Sequence, residues 1–170
     1  MSFSIYESSA PVFVKMLGNM RAWIDKAAAE KPETNLVEAR LAEDMRPLAA
    51  QYQMASDSAK NAIARLLGID PPSMPDTEAS LAELQERCDK TIAFIESVDP
   101  AAFAGAEDRA IEMKFPNGMG YRWTGADYLR DFALPNFYFH ATTAYAIMRA
   151  EGVSLGKPDF LQHLGPPEQF

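Results

Sequence analysis

The residues best suited to chemistry in this chain lie within the segment from Thr124 to Glu151. His140 stands there with Asn136 four residues before it and Thr143 three residues after it. Successive residues turn about 100° around an α-helix, so these three side chains share one face. An imidazole can exchange a proton near neutral pH, while amides and hydroxyls orient a bound molecule. His140 is therefore a candidate catalytic residue, with Asn136 and Thr143 as candidate ligand-binding residues.

The same face carries the apolar residues expected in the core: Leu129, Phe132, Phe139, Ala146, Ile147 and Ala150. Polar groups buried on such a face need hydrogen-bond partners. A second long helix offers them, because Gln51 borders its apolar side and Asp57 lies further round. Gln51 is thus a third candidate ligand-binding residue, and Asp57 is the candidate catalytic carboxylate beside His140. The alternative is that Asp57 only pairs with Lys60 or Asn61 on the surface.

Helical periodicity organises most of the chain. The spacing of apolar residues predicts long helices over residues 4–31, 44–68, 77–97 and 124–151. Ser80 and Thr124 are expected N-caps, and Gly68 and Gly152 are expected helix stops. Pro135 cannot donate to the carbonyl four residues before it, which predicts a kink in the last long helix.

The remaining segments complete the expected fold. Residues 109–123 alternate around Asn117-Gly118, which predicts a short β-hairpin. Residues 152–170 are rich in Gly and Pro and predict an irregular tail anchored by Phe160 and Leu161. The fold class is therefore all-α, a four-helix bundle with a hairpin before the last long helix, in a single domain over residues 1–170.

Composition limits the classes of partner. The net charge of −8 over 170 residues argues against binding nucleic acid or an anionic membrane surface, since both favour basic patches. The N-terminal residues do not form a signal peptide, and no apolar run reaches the roughly 18 residues of a membrane span. The one cysteine, Cys88, lies on an apolar helix stripe, where it is expected to pack inertly. These features favour a cytoplasmic protein.

Three segments carry a resemblance to a known family: SAPVFVKMLGNM, MRPLAAQYQMASDSAKNAIARLLG and FALPNFYFHATTAYAIMRAEGVSLGKPDF. Over nearly its whole length the chain resembles a bacterial family of unknown function within the DinB/YfiT-like superfamily of four-helix bundles. The resemblance implies a metalloenzyme fold, often dimeric, whose better-known relatives bind a divalent metal through three histidines. Some of those relatives resemble thiol-dependent transferases.

The chain departs from that metal pattern. It contains two histidines, and residue 144, where a second histidine of the last helix is expected, is alanine. The second helix offers Gln51, Gln53 and Asp57 where the superfamily has a histidine. Because a zinc site usually needs at least three protein ligands, no metal and no cofactor is predicted. His140 is the one residue here that would contribute an imidazole ligand.

Three functional interpretations remain open. His140 would act as a general acid or base in an enzyme, including a thiol-dependent transferase, or the polar pocket would bind a small molecule without chemistry. In the third, His140 is a hydrogen-bonded core residue, and Tyr138, Tyr145 and Arg149 form the surface of an expected homodimer. The residues themselves name no substrate, reaction or biological process.

Overall fold

The structure is a computed structural model that describes residues 4–31 and 35–169. Its helices are α1 (Ala10–Glu30), α2 (Leu48–Leu67), α3 (Leu81–Glu96), α4 (Gly125–Tyr128), α5 (Leu134–Ala150) and α6 (Lys157–Phe160). The strands are β1 (Ile111–Lys114) and β2 (Gly120–Trp123). A π-helical segment (Leu129–Ala133) joins α4 to α5, and 3₁₀ turns lie at Leu36–Glu38, Pro100–Phe103 and Gln162–Leu164.

The long helices pack side by side around a core of Phe13, Trp23, Tyr52, Ile63 and Phe137, each at most 1% exposed. Helix α2 is central, because it packs against α5 on one side and α3 on the other. Alanines such as Ala55 and Ala59, both fully buried, let its neighbours approach closely. No helix among residues 4–31 and 35–169 has the length and apolar character needed to cross a membrane.

The predicted helix ends agree with the structure more closely than the predicted starts. Gly68 closes α2 in the left-handed conformation at φ +70°, as expected of a glycine C-cap. Ser80 and Thr124 each accept a hydrogen bond from the backbone three residues on, so both are N-caps as predicted. The first three long helices begin four to six residues later than predicted. In α2 the reason is that Pro47 lies at the extended N-cap position and not within the first turn.

The last long helix is interrupted by a π-helical segment that ends before Pro135, the residue at which a kink was predicted. The N–H of Leu134 donates to the carbonyl of Leu129, five residues back instead of four. Pro135 then falls in the first turn of α5, where its missing N–H costs little. The segment breaks the helical register just before Asn136 and His140.

This change of register overturns part of the predicted core face. Phe139 was expected inside, but its side chain is 57% exposed. Phe137, Ala141 and Ala144 are fully buried in its place. A π turn inserts about one extra residue, so residues beyond it rotate by about 100° from the positions that a continuous helix would give them.

The hairpin and the tail both pack onto the bundle. Strands β1 and β2 pair antiparallel with Ile111 opposite Trp123, and Gly118 in the turn has a φ of +82°. The tail is more regular than predicted, since α6 and a 3₁₀ turn occupy part of it. Phe160 stacks on Trp23 with ring centroids 5.4 Å apart and contacts Tyr145 edge to face. The tail therefore covers Tyr145, one of the residues expected at a dimer surface.

Candidate functional site

A cavity of about 310 Å³ lies between α2, α5 and the hairpin. Its polar lining comes from Asp57, Ser58, Asn61, Arg65, Asn136 and His140. Three of the predicted site residues therefore meet here: His140, Asp57 and Asn136. Ligand-binding pockets commonly start at about 300 Å³, so this one suits a small molecule.

Helix α2 supplies one wall of the cavity, and it carries a stripe of polar side chains toward the last long helix, of which Gln51 lies outside the cavity lining. Gln51, Ser58 and Arg65 recur every seven residues, a spacing that puts them on the same side of the helix. Each of them bonds a residue of the last long helix, and the pairing runs antiparallel. Gln51 meets His140, Ser58 meets Asn136, and Arg65 meets Tyr128.

The hydrogen bonds of Gln51 determine the tautomer of His140. Gln51 Nε2 donates to the carbonyl of Arg46 at 3.0 Å, and because a carbonyl only accepts, this sets the orientation of the amide. Gln51 Oε1 then lies 2.9 Å from His140 Nδ1, so Nδ1 carries the proton and donates. The lone pair of the neutral ring is therefore on Nε2.

His140 is enclosed, although it is not sealed. Its side chain is 9% exposed, and burial lowers the pKa of the imidazole below its ordinary value, which favours the neutral ring. Within residues 4–31 and 35–169, Arg87 Nε is the buried side-chain nitrogen or oxygen without a hydrogen-bond partner. His140 Nε2 has no hydrogen-bond partner among the described residues and is not one of their buried unsatisfied atoms, so it keeps some exposure, and His140 itself lines the cavity.

Asn136 is held from one side by Ser58. Its Nδ2 donates to Ser58 Oγ at 2.6 Å, and Ser58 Oγ donates to the carbonyl of Met54 at 2.7 Å. Ser58 thus uses its hydroxyl as both acceptor and donor. The carbonyl oxygen of Asn136 makes no bond to another described residue and is the part of the amide available to a bound molecule.

Asp57 lines the cavity, but its ion pairs point elsewhere. It contacts Lys60 Nζ at 2.7 Å and Arg87 Nη2 at 2.9 Å. The expected pair with Lys60 is therefore present, although Lys60 is buried at 6% exposure and not on the surface. The hydrogen-bond partner of His140 is Gln51 and not this carboxylate.

Thr143 and Cys88 lie outside the cavity lining. Thr143 donates to the carbonyl of Phe139 at 2.7 Å in its own helix, which satisfies the hydroxyl locally. Cys88 is 1% exposed, and burial raises the pKa of its thiol to about 12. A neutral buried thiol is a poor nucleophile, which agrees with the packing role expected of Cys88.

Arg65 and Tyr128 complete the cavity and were not among the predicted site residues. Arg65 Nη1 donates to the Tyr128 hydroxyl at 2.9 Å, and the guanidinium carbon lies 5.7 Å from the centre of the ring. An arginine in the last turn of a helix looks like ordinary dipole compensation in a sequence. The signal that would have found it is the seven-residue repeat from Gln51 through Ser58.

The cavity does not fit the three-histidine metal site that the resemblance implied. Across the described ranges, 4–31 and 35–169, no group of three His, Cys, Asp or Glu side chains is placed to hold a metal ion. His140 is the one imidazole at the cavity, and the nearby carboxylate of Asp57 is neutralised by two cations. Neither the number nor the type of donors suits a transition metal.

Comparison with known proteins agrees with the fold. The model of a family described as a domain of unknown function, DUF1993, matches residues 5–161. The chain is similar to a DinB family member protein from Shewanella denitrificans, whose crystal structure shares 39% sequence identity and a TM-score of 0.83. The match covers 92% of this chain and 90% of that one. No curated protein matches the chain. The expected DinB-like bundle of unknown function is thereby confirmed.

Proposed function

The chain belongs to the DUF1993 family, whose function is unknown, and on this premise we propose that it binds a small organic molecule between α2 and α5. His140 accepts a hydrogen bond, or a proton, from that molecule through Nε2. The observation that carries the proposal is the pair of contacts made by Gln51, which commit Nδ1 to donation and leave the Nε2 lone pair to the cavity.

The competing interpretation of His140 as a core residue fits less well. A histidine that serves packing alone is expected to bond both ring nitrogens within the protein or to be sealed from solvent. Here one nitrogen is bonded, the other has no hydrogen-bond partner among the described residues, and the residue lines a cavity of about 310 Å³. The accessible carbonyl oxygen of Asn136 adds a second group that a ligand can bond.

We propose that the site works without a tightly bound divalent metal. The support is its donor set, because one imidazole beside a neutralised carboxylate is a weak site for a transition metal. A neutral imidazole is also able to deprotonate a hydroxyl or thiol of a bound molecule. Transfer chemistry of the thiol-dependent kind stays a prediction, as do a homodimer and a cytoplasmic location.

A thermal-shift screen tests the proposal. Small carboxylic acids, thiols, alcohols and divalent cations are added to the wild-type protein, to His140→Ala and to His163→Ala. His163 is the matched control, since it is the other histidine of the sequence and lies in the tail, where it contacts Asn19 of α1. A ligand that binds only the folded protein raises Tm with concentration.

The expected result is at least one organic compound that raises Tm by several degrees in the wild type and in His163→Ala but not in His140→Ala. Divalent cations are expected to leave Tm unchanged. Equal shifts in all three proteins, or no shift with any organic compound, would refute the proposed site.

A further inference from the structure

We propose that the molecule bound in this cavity carries a carboxylate, which Arg65 and Tyr128 hold at the end of the cavity opposite to His140. This inference rests on the proposed binding function and names the class of its ligand. It comes from the contacts of Arg65, whose guanidinium lies over the Tyr128 ring and makes no ion pair with another described residue.

Arg65 keeps most of its donors free. One guanidinium nitrogen donates to the Tyr128 hydroxyl, and the group makes no ion pair within the part of the chain that the structure describes. The side chain is half-buried and lines the cavity. A guanidinium offers parallel N–H groups that match the two oxygens of a carboxylate, and its attraction strengthens where water is partly excluded.

Tyr128 supplies a second donor at the same place. The ring is 1% exposed, and its hydroxyl oxygen accepts from Arg65. Because the guanidinium can only donate, the hydroxyl proton of Tyr128 must point away from it. No other described residue accepts that proton, and Tyr128 lines the cavity. Two kinds of donor, one of them cationic, therefore converge where an anion would lie.

The two ends of the cavity are far apart along α2. The lining residues of α2 run from Met54 to Arg65, about three helical turns or roughly 16 Å between Cα atoms. The bond between Ser58 and Asn136 lies between these two ends. A molecule that uses both ends is therefore elongated, with its carboxylate remote from the group that faces His140.

The charge of the surroundings favours a monoanion. Asp57 lines the cavity, but Lys60 and Arg87 neutralise it, so the relevant charge is the net charge of −8 of the whole chain. That net charge repels a dianionic phosphate more strongly than a carboxylate. A carboxylate is therefore the expected ligand, and a phosphate of the same length is expected to bind more weakly.

Isothermal titration calorimetry at pH 7.5 tests the inference with ω-hydroxycarboxylates of four to ten carbons. Each is compared with its primary amide and with the ω-hydroxyalkyl phosphate of the same length. We expect one length to bind best, the carboxylate to bind at least tenfold more tightly than its amide, and the phosphate to bind more weakly than the carboxylate. Arg65→Met should abolish the preference for the carboxylate, and Tyr128→Phe should reduce it several-fold.

Two further variants complete the design. Arg65→Lys keeps the charge without the parallel donors and should keep part of the preference, even if Arg65→Met folds poorly. Arg21→Met, on the exposed side of α1, should bind as the wild type does. Circular dichroism verifies the fold of each variant.

The outcomes separate this inference from the proposed function. If amides bind as tightly as carboxylates and His140→Ala abolishes both, the carboxylate assignment is wrong and the binding site stands. If phosphates bind more tightly than carboxylates, the assignment is equally wrong. If no compound binds at 10 mM, the assignment and the proposed binding function both fail.

Discussion

Helix α2 has a polar cluster on each of two sides, and the two clusters differ in how far their polar groups are paired within the protein. Toward α3 lies a charged cluster centred on Arg87, which pairs with Asp57 at 2.9 Å, Asp76 at 3.0 Å and Glu78 at 2.8 Å. Toward α5 lies the cavity of His140 and Arg65, where donors and acceptors outnumber the protein partners. Paired charges are typical of a structural cluster, and here they leave Arg87 Nε as a buried atom without a hydrogen-bond partner among the described residues, whereas accessible groups left over at a cavity are typical of a binding site.

The charged cluster attaches residues 69–76, the proline-rich loop between α2 and α3, to the bundle. Arg87 is 2% exposed and also donates to the carbonyl of Pro75 at 3.2 Å. Burial opposes ionisation of Glu78, but hydrogen bonds from Arg87 and Gln53 outweigh it, so the pKa of this carboxyl lies below its ordinary value. Every charge in the cluster has an opposite charge beside it. We therefore expect the ion pairs on this side of α2 to contribute chiefly to stability.

The largest predicted effect is on the charged cluster, from Arg87→Met. Removing one partner of a buried ion pair leaves uncompensated charge and costs about 3 kcal/mol of unfolding free energy. Asp57 would keep Lys60 and Glu78 would keep Gln53, so we expect a value near the low end of the usual range. Urea denaturation followed by circular dichroism measures it.

Arg21→Met is the matched control for this change. Arg21 also joins two helices, through Asp89 of α3 at 2.7 Å, but all the side chains involved are at least 42% exposed. Exposed pairs contribute less than about 1 kcal/mol. If the two variants lose equal stability, burial does not distinguish the Arg87 cluster, and the contrast between the two sides of α2 is lost.

A smaller effect is expected from Thr91→Val, which removes a buried hydroxyl contact between α3 and α2 on the same side as the charged cluster. The Thr91 hydroxyl lies 2.7 Å from Ser56 Oγ, and both residues are fully buried. The change keeps the shape but leaves the Ser56 hydroxyl without this partner, at a cost of about 1 kcal/mol.

Ser58→Ala provides the corresponding change on the cavity side. Ser58 is half-buried, so water can replace its bond to Asn136, and we expect a loss below about 0.5 kcal/mol. The same urea titration compares the two variants. A larger loss for Ser58→Ala than for Thr91→Val would show that the cavity side, and not the α3 side, carries the structural hydrogen bonds.

The sequence predicted the long helices and their caps, but it did not predict the π-helical segment. The caps at Ser80, Thr124 and Gly68 are encoded in residue types with strong local preferences, so all three were predicted correctly, although the helix that Ser80 caps was predicted to begin at residue 77. Side chains carry no comparable signal for a π turn, because its hydrogen bonds join backbone groups. A continuous period therefore placed Phe139 in the core, where the structure does not.

The candidate site shows the same limit. Gln51 was placed near His140 because both border apolar faces, and the structure joins them directly. Arg65 and Asp57 were harder to predict, since a charged residue near an apolar stripe reads the same whether it meets solvent, an ion pair or a cavity. Which of these surroundings a charged residue has depends on the helix that packs beside α2. The spacing of apolar residues along one helix does not show which helix that is.

The smallest predicted effect is the pH dependence that His140 adds to stability. Burial lowers the pKa of the folded imidazole below the value of about 6.5 that it has in an unfolded chain. Above that pH the ring is neutral in both states and contributes nothing. As the pH falls through 6.5, the unfolded chain binds the proton first, so stability declines until the folded pKa is passed.

Denaturation of the wild type, His140→Gln and His163→Gln between pH 7.5 and 5.5 measures this contribution. The decline should be shallower in His140→Gln than in the other two proteins, because only that variant lacks the buried ring. NMR adds a direct reading, since with two histidines in the chain each variant assigns the remaining resonance. If the His140 resonance titrates at or above 6.5, the ring is not held neutral by the cavity. The cavity side of α2 would then still differ from the α3 side in charge, but His140 would not supply a neutral imidazole that can accept a proton from a ligand.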